Sequence, residues 1–277
     1  MTVHYGRRGG MLAGMLQALI FDVDGTLAET ERDGHRPAFN AAFAEAGLDW
    51  YWDEALYGEL LAVTGGKERI RHFCVRHDPG FIATPDADQR IAALHAAKTR
   101  HYLQLLSRGC ISLRPGVTRV LREAHATGLR LAIATTTTPE NVAALLPAEL
   151  MALFETVGAG DTAANKKPAP DIYLWVLAKL GLPGANCVAI EDSSNGLKAA
   201  LGAGLPTLVT ESEYTLGEDS TGAFAVLSDL GEPDRPCLTR RGVMHGKACV
   251  DVELLRIWHR DAADMASAKS DDHDKKL

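Results

Sequence analysis

Leu19-Ile20-Phe21-Asp22-Val23-Asp24-Gly25-Thr26 is an apolar run that stops abruptly at two carboxylates two residues apart, followed by glycine and threonine. Residues two apart in a strand share a face, so Asp22 and Asp24 start on one side. A bend at Gly25 then turns both toward one space beyond the strand end. Two close carboxylates repel unless a cation or a proton is shared between them. The stretch predicts a carboxylate-centred, magnesium-assisted reaction site.

The surrounding chain fits an enzyme core. At 277 residues it accommodates one large domain or two smaller ones, and 46% hydrophobic content is ample for burial. A net charge of −7 argues against sequence-independent nucleic-acid binding. The five cysteines are scattered and form no CxxC pair, which argues against structural zinc and a disulfide framework and suits a reducing cytoplasm. No run approaches the roughly 18 apolar residues of a membrane span. Neither a membrane, nor nucleic acid, nor an obligate protein partner is expected. Arg7-Arg8 before Met11-Leu12-Ala13 superficially resembles a twin-arginine signal, but the apolar part runs straight into Asp22 with no small-residue cleavage pattern. Residues 1–15 read instead as a disordered extension.

Between residues 32 and 108 the pattern is helical: 35–46, 53–61, 68–75 and 86–106, with a loop at Thr64-Gly65-Gly66-Lys67. From residue 109 strands and helices alternate, with strands expected near 129–134, 156–157, 187–190 and 206–209 and an edge strand at 223–227. The fold expected is α/β, a Rossmann-like parallel sheet formed by 16–31 and 109–265, with a four-helix cap domain inserted at 32–108. A last helix is expected near 252–258 and a disordered tail over 266–277.

Ligands of such a sheet bind beyond the carboxyl ends of its strands. There the chain places Asp22 and Asp24, then Thr135-Thr136-Thr137-Thr138, then Lys166-Lys167-Pro168, then Glu191-Asp192. Each group has a task if the substrate is a phosphate ester. Asp22 suits nucleophilic attack on phosphorus. Mg²⁺ offsets the repulsion between anions, with Glu191, Asp192, Asp22 and the carbonyl of Asp24 as candidate ligands. The Asp24 carboxyl suits acid–base transfer; Thr135, Thr136 and Thr137 suit the phosphoryl oxygens, and Lys167 the accumulating negative charge. Taken singly, an Asp-x-Asp is more often a solvated turn, a threonine run a cap, and a lysine before proline a loop. Their joint order, each after a strand, favours the catalytic reading.

These residues resemble the haloacid dehalogenase superfamily of aspartate-nucleophile phosphatases, whose four motifs stand here as Asp22-Val23-Asp24-Gly25-Thr26, Thr135, Lys167 and Glu191-Asp192. The helical insert placed directly after the first motif resembles the β-phosphoglucomutase-like subclass. Thr64-Gly65-Gly66-Lys67-Glu68-Arg69-Ile70 and Lys167-Pro168-Ala169-Pro170-Asp171-Ile172-Tyr173 are similar to the CbbY proteins of carbon-fixing organisms. The resemblance implies hydrolysis of xylulose-1,5-bisphosphate, an inhibitory by-product of Rubisco, to xylulose-5-phosphate. A bisphosphate needs cations for the phosphate that is not transferred, and His35, Arg36, Lys67 and Arg69 are the candidates; Glu29 is a candidate for a sugar hydroxyl. Gly34 departs from the family pattern as an extra residue before His35, leaving the register of His35 and Arg36 open. Trp50, Tyr51 and Trp52 read as cap core rather than a stacking platform, and 29–33 and 108–115 as hinges. A mutase with the same residues and a metabolite-binding regulator without turnover are the rival readings.

Overall fold

The computed structural model describes residues 14–274; residues 1–13 and 275–277 of the expected extension and tail lie outside them. Strands β1 (Ala18–Phe21), β2 (Arg130–Ala134), β3 (Phe154–Gly158), β4 (Cys187–Glu191), β5 (Thr207–Thr210), β6 (Ala225–Leu227) and β7 (Thr239–Arg241) form one seven-stranded sheet in the order β3-β2-β1-β4-β5-β6-β7. Pairings from β3 through β6 are parallel, and β7 is antiparallel to β6. Every residue of β1 is buried, as a central strand covered on both faces requires. Leu19 and Phe21 enter the core on one side of the sheet, Ala18 and Ile20 that on the other.

Helices α6 (Val117–Ala126) and α11 (Val252–Asp274) pack on the first side. Helices α9 (Asp171–Leu180) and α10 (Ser194–Gly202) pack on the second. The chain runs outward from β1 through β2 to β3 and then returns to place β4 on the other flank of β1. This reversal is the switch point where the crevice of an open parallel sheet lies. It sets the end of β1 beside the end of β4.

Between β1 and β2 the chain leaves the sheet and builds a separate aromatic core. A π-helix at Glu31–His35 runs into α1 (Arg36–Glu45), followed by α2 (Glu54–Leu60), α3 (Gly66–His77), the single turn α4 (Pro79–Ile82) and the long α5 (Ala87–Ser107). Phe39, Phe43, Trp52, Tyr57, Phe73 and Ile91 fill its centre. Asn40 clips the extended segment to α1, accepting from the Trp52 amide at 2.8 Å and donating to its carbonyl at 2.9 Å. The chain enters and leaves side by side, since Ala28 bridges Leu113.

Four expectations need correction. Tyr51 is exposed, whereas Trp50 and Trp52 pack inward, because an extended segment alternates its faces. The strand at 225–227 is not the edge; β7 covers it, and its three exposed polar residues carry no apolar period to read. Helix α3 begins at Gly66, so Lys67 lies in its first turn rather than in a loop. Helix α11 runs on to Asp274 through most of the stretch expected as a disordered tail; residues 252–274 contain several alanines and no glycine or proline to stop it.

Candidate active site

The ends of β1, β2 and β4 are tied together by one side chain. Lys167, 5% exposed, donates to Asp22 Oδ1 at 2.7 Å, to the Ala134 carbonyl at 2.9 Å and to Glu191 Oε1 at 2.6 Å. Tyr173 on α9 donates to the same Glu191 oxygen at 2.5 Å. Ligand atoms of Asp22, Glu191 and Asp192 lie within 4.8 Å of one another, all buried. Three carboxylates against one ammonium leave this cluster at −2 if all are ionised. Burial above all pushes the Asp22 carboxyl up to about 8, with Glu191 and Asp24 adding and Lys167 opposing. Burial, then Asp22 and Glu191, likewise holds Asp192 well above the usual carboxylate range. Burial works against the Lys167 ammonium, yet Asp22 and Glu191 hold its pKa above the ordinary lysine value. Both pKa values are thus raised, for different reasons: burial disfavours the Asp22 charge, while two carboxylates favour the Lys167 charge.

An all-oxygen donor set short of two positive charges fits Mg²⁺. Two glycines make the space. A methyl on Gly25, whose φ is +83°, would stand 2.1 Å from Asp192 Oδ2, and one on Gly196 would stand 1.9 Å from Glu191 Oε2. The Asp24 carboxylate lies outside this set and groups instead with Glu31 and His35.

Asp24 faces the inserted helices instead. Its Oδ1 accepts from Thr30 Oγ1 at 2.5 Å and lies 2.9 Å from His35 Nε2. Lys98 Nζ on α5 lies 2.7 Å from His35 Nδ1. An ammonium can only donate, so Nδ1 accepts and Nε2 carries the proton given to Asp24. Burial resists ionisation of Asp24, but His35, Thr30 and Lys98 together hold its pKa at about 2. Gly34 lies within the π-turn Glu31–His35, which sets the phase that brings His35 over Asp24. Gly34 is packed under Tyr102 and Ile111, where a methyl would come within 2.6 and 2.5 Å.

Between sheet and cap lies a cavity of about 750 Å³ bordered by Asp24, Thr136, Thr137, His35, Lys67 and Arg69. A second of about 260 Å³ adjoins Asp22, Lys167 and Asp192 and shares Asp24, Thr136 and Arg69 with the first. Thr135 borders neither; it is buried with its Oγ1 accepting from the Thr137 amide at 3.2 Å. Arg69 donates to Tyr57 at 2.8 Å, and Tyr57 in turn donates to Glu31.

Besides Thr135, two expected binding residues do not reach the site. Arg36 borders neither cavity and pairs with Glu54 at 3.2 Å. Glu29 pairs with Arg114 at 3.1 Å and lines a separate crevice behind the linkers. Ala28 is bridged to both Asp24 and Leu113, which turns the next side chain to the far side. Other residues join the site without having been expected. Lys98 had a readable mark: Ile91, Leu94, Lys98 and Tyr102 follow 3-4-4 spacing, so a lysine occupies a buried stripe. Tyr173 likewise falls on the apolar face of α9. Thr30 and Glu31 carried no such mark.

Comparison with known proteins gives a consistent result. The model of the family described as haloacid dehalogenase-like hydrolases matches residues 16–204. The CbbY protein of Cupriavidus necator, plasmid-borne, is 51% identical over 88% of this chain and 97% of its own length. Crystal structures of CbbY from Rhodobacter sphaeroides are similar over most of this chain. The phosphate complex superposes with a TM-score of 0.71 at 47% identity, over 78% of this chain and 95% of the other. An Asp-to-Asn variant holding xylulose-1,5-bisphosphate gives 0.72 at 46% identity, over 79% and 96%.

Proposed function

The chain belongs to the haloacid dehalogenase-like hydrolases, among its CbbY-like phosphatases, and from that premise we propose that it hydrolyses a sugar bisphosphate, xylulose-1,5-bisphosphate foremost, to the monophosphate and inorganic phosphate. The observation that carries this reading is the adjoining of two cavities, one at the Asp22 cluster and one bordered by Lys67, with Asp24, Thr136 and Arg69 common to both. About 750 Å³ suits a phosphorylated five-carbon sugar. The bisphosphate bound by the Rhodobacter sphaeroides relative supports the same substrate class.

In this mechanism the one proton that burial keeps on Asp22 in the free protein passes to Asp24 as the substrate binds; the freed Asp22 oxygen attacks phosphorus, the P–O bond to the sugar breaks, and the leaving oxygen takes that proton from Asp24. Asp24 next takes a proton from water, whose oxygen attacks the aspartyl-phosphate; inorganic phosphate leaves and Asp22 is restored. Thr30 and His35 both bind Oδ1 of Asp24 and so turn Oδ2 to the substrate. Lys167 holds Asp22 and Glu191 in line, and Thr136 faces the phosphoryl group. Mg²⁺, held by Asp22, Glu191, Asp192 and the Asp24 carbonyl, would supply the positive charge that lets one anion approach another. The helical cap excludes bulk water while admitting the one that hydrolyses the intermediate. A small phosphosugar is the only partner this scheme needs, and cytoplasmic action fits it.

Phosphate release across sugar mono- and bisphosphates with Mg²⁺ tests the reading. Stoichiometric phosphate from xylulose-1,5-bisphosphate, abolished by chelation and restored by Mg²⁺, is the expected result. Isomerised monophosphate without phosphate release would make the protein a mutase. Equal rates on every sugar and on an aryl phosphate would remove the assigned specificity.

A further inference from the structure

The turn after β5 is held from two sides. Within residues 212–215, two side chains face the carboxylate cluster: Thr215 Oγ1 donates to Asp192 Oδ2 at 3.4 Å, and Ser212 Oγ lies 2.9 Å from Thr215 Oγ1. The other two face the cap. Glu213 pairs with Arg32 of the π-helix, and the Tyr214 ring stands edge-on to Tyr57 of α2, with centroids 5.6 Å apart. A methyl on Gly58, the next residue of α2, would lie 3.4 Å from the Tyr214 ring. The base of the turn is fixed to the sheet, since the Glu211 amide donates to the Leu227 carbonyl at 2.8 Å. A displacement of Tyr214 is therefore taken up by its neighbour Thr215 and passed to Asp192.

Tyr214 also ends in an open contact. Its hydroxyl is buried with no hydrogen-bond partner, and so is Nε of Arg36 at the start of α1. The two groups are neighbours: burial pushes the Tyr214 phenol up, and Arg36 opposes that rise. A buried donor and a buried acceptor are costly while apart and satisfied once they meet. A slight further approach of cap to core makes that bond, with Arg36 Nε–H donating to the phenolic oxygen. Arg36 thereby gains a task even though it borders neither cavity.

Resting on the reading of a Mg²⁺-assisted phosphatase with a closing cap, we propose that Tyr214 is a positioning residue which, by bonding to Arg36 as the cap settles, ties cap closure to the placement of Asp192. Metal binding and closure then favour each other by the same factor, as two coupled equilibria must. The cap closes most firmly over a filled metal site, and its opening for product release loosens Asp192 in turn.

The test is a double-mutant cycle on the full chain, with Tyr214→Phe, which removes only the hydroxyl, Arg36→Met, which removes Nε and keeps a stem, and the two together. Mg²⁺ affinity is measured by calorimetry without substrate. Each single variant is expected to raise the Mg²⁺ Kd by about threefold to tenfold, and the double variant no further than the larger single loss. An unchanged Kd in Arg36→Met, or losses that multiply in the double variant, would overturn the coupling. A lowered thermal midpoint with Mg²⁺ affinity intact would overturn it as well, since plain packing would then account for the contact. Hydrogen exchange gives a second readout: the amides of α2 should slow when Mg²⁺ is added to the unmodified protein, and should lose that response in Tyr214→Phe. Amides of α2 indifferent to Mg²⁺ in the unmodified protein would refute the proposal. Neither measurement uses a phosphosugar, so a protein that shows the coupling but releases no phosphate would sink the substrate reading alone.

Discussion

Lys98 shows how a single residue trades stability for chemistry. Burial above all draws its ammonium down to about 8, against the pull of Glu31 and Asp24. What the charge does there is settle the proton of His35 on Nε2, facing Asp24. Lys98→Met should therefore lower kcat by about 10- to 100-fold, since Asp24 is left without a fixed donor. The same change should leave the urea midpoint level or raised, because an apolar side chain suits a buried stripe better than a charge. A fall in stability with kcat untouched would refute that role. His95 gives the pH counterpart. Its folded pKa of about 4 lies below the ordinary 6.5, so between those values the unfolded chain binds the extra proton. Stability is thus lost as pH falls through that window, by up to about 3 kcal/mol. Denaturant unfolding from pH 7 to 4 should show a shallower loss for His95→Gln than for the unmodified protein.

At the scale of the element, glycines decide how close a helix comes to a carboxylate. In α10, Gly196 lets the first turn pass over Glu191. Gly196→Ala should abolish Mg²⁺ binding by calorimetry while the protein stays folded, because the added carbon occupies the place of Oε2. The π-helix makes a related point. The sequence left the register around Gly34 open, since a chain can pass such a point as a loop, a shifted register or a π-turn, and local preference does not choose among them. Packing under Tyr102 and Ile111 does. Elements with a strong period were legible: β1, α5, α9 and α10 lie close to where the apolar pattern puts them. The one-turn α4 and α8 (Ala148–Met151) and the exposed β7 were not, since three or four residues carry no period.

Across the whole molecule, Arg114 joins the parts. It leaves the second linker and donates to the carbonyls of Gly25, Thr210, Glu211 and Ser228 while pairing with Glu29. One side chain thus holds the loop beyond Asp22 and Asp24, the loops after β5 and β6, and the first linker. Four carbonyls would lose their partner at once in Arg114→Met, and a loss of about 3–5 kcal/mol in unfolding free energy is expected. Thermal unfolding measures it; a change below 1 kcal/mol would mean that water replaces the arginine. Asn195, whose side-chain amide lies 3.4 Å from both the Ala62 carbonyl and Thr64 Oγ1, adds a lighter contact from the β4 side to the cap.

The gathering of charged residues at the strand ends could be read along the chain because a strand end is a local event: an apolar run, a breaker and the polar residues between them. Asp22, Asp24, Lys167, Glu191 and Asp192 all announce themselves in that way, and so does the helical insertion after the first of them. The partners of Asp24 did not. Thr30, His35 and Lys98 meet it only because α1 packs on α5 and a π-turn sets the phase between them. Equally, Glu29 and Arg36 carry the right charge at the right place in the chain and still face away, since one bridge at Ala28 and one helix phase turn them out. Charge and spacing are properties of the chain; which charges share a cavity is a property of packing, where a single residue's rotation moves a side chain from the site to its back wall.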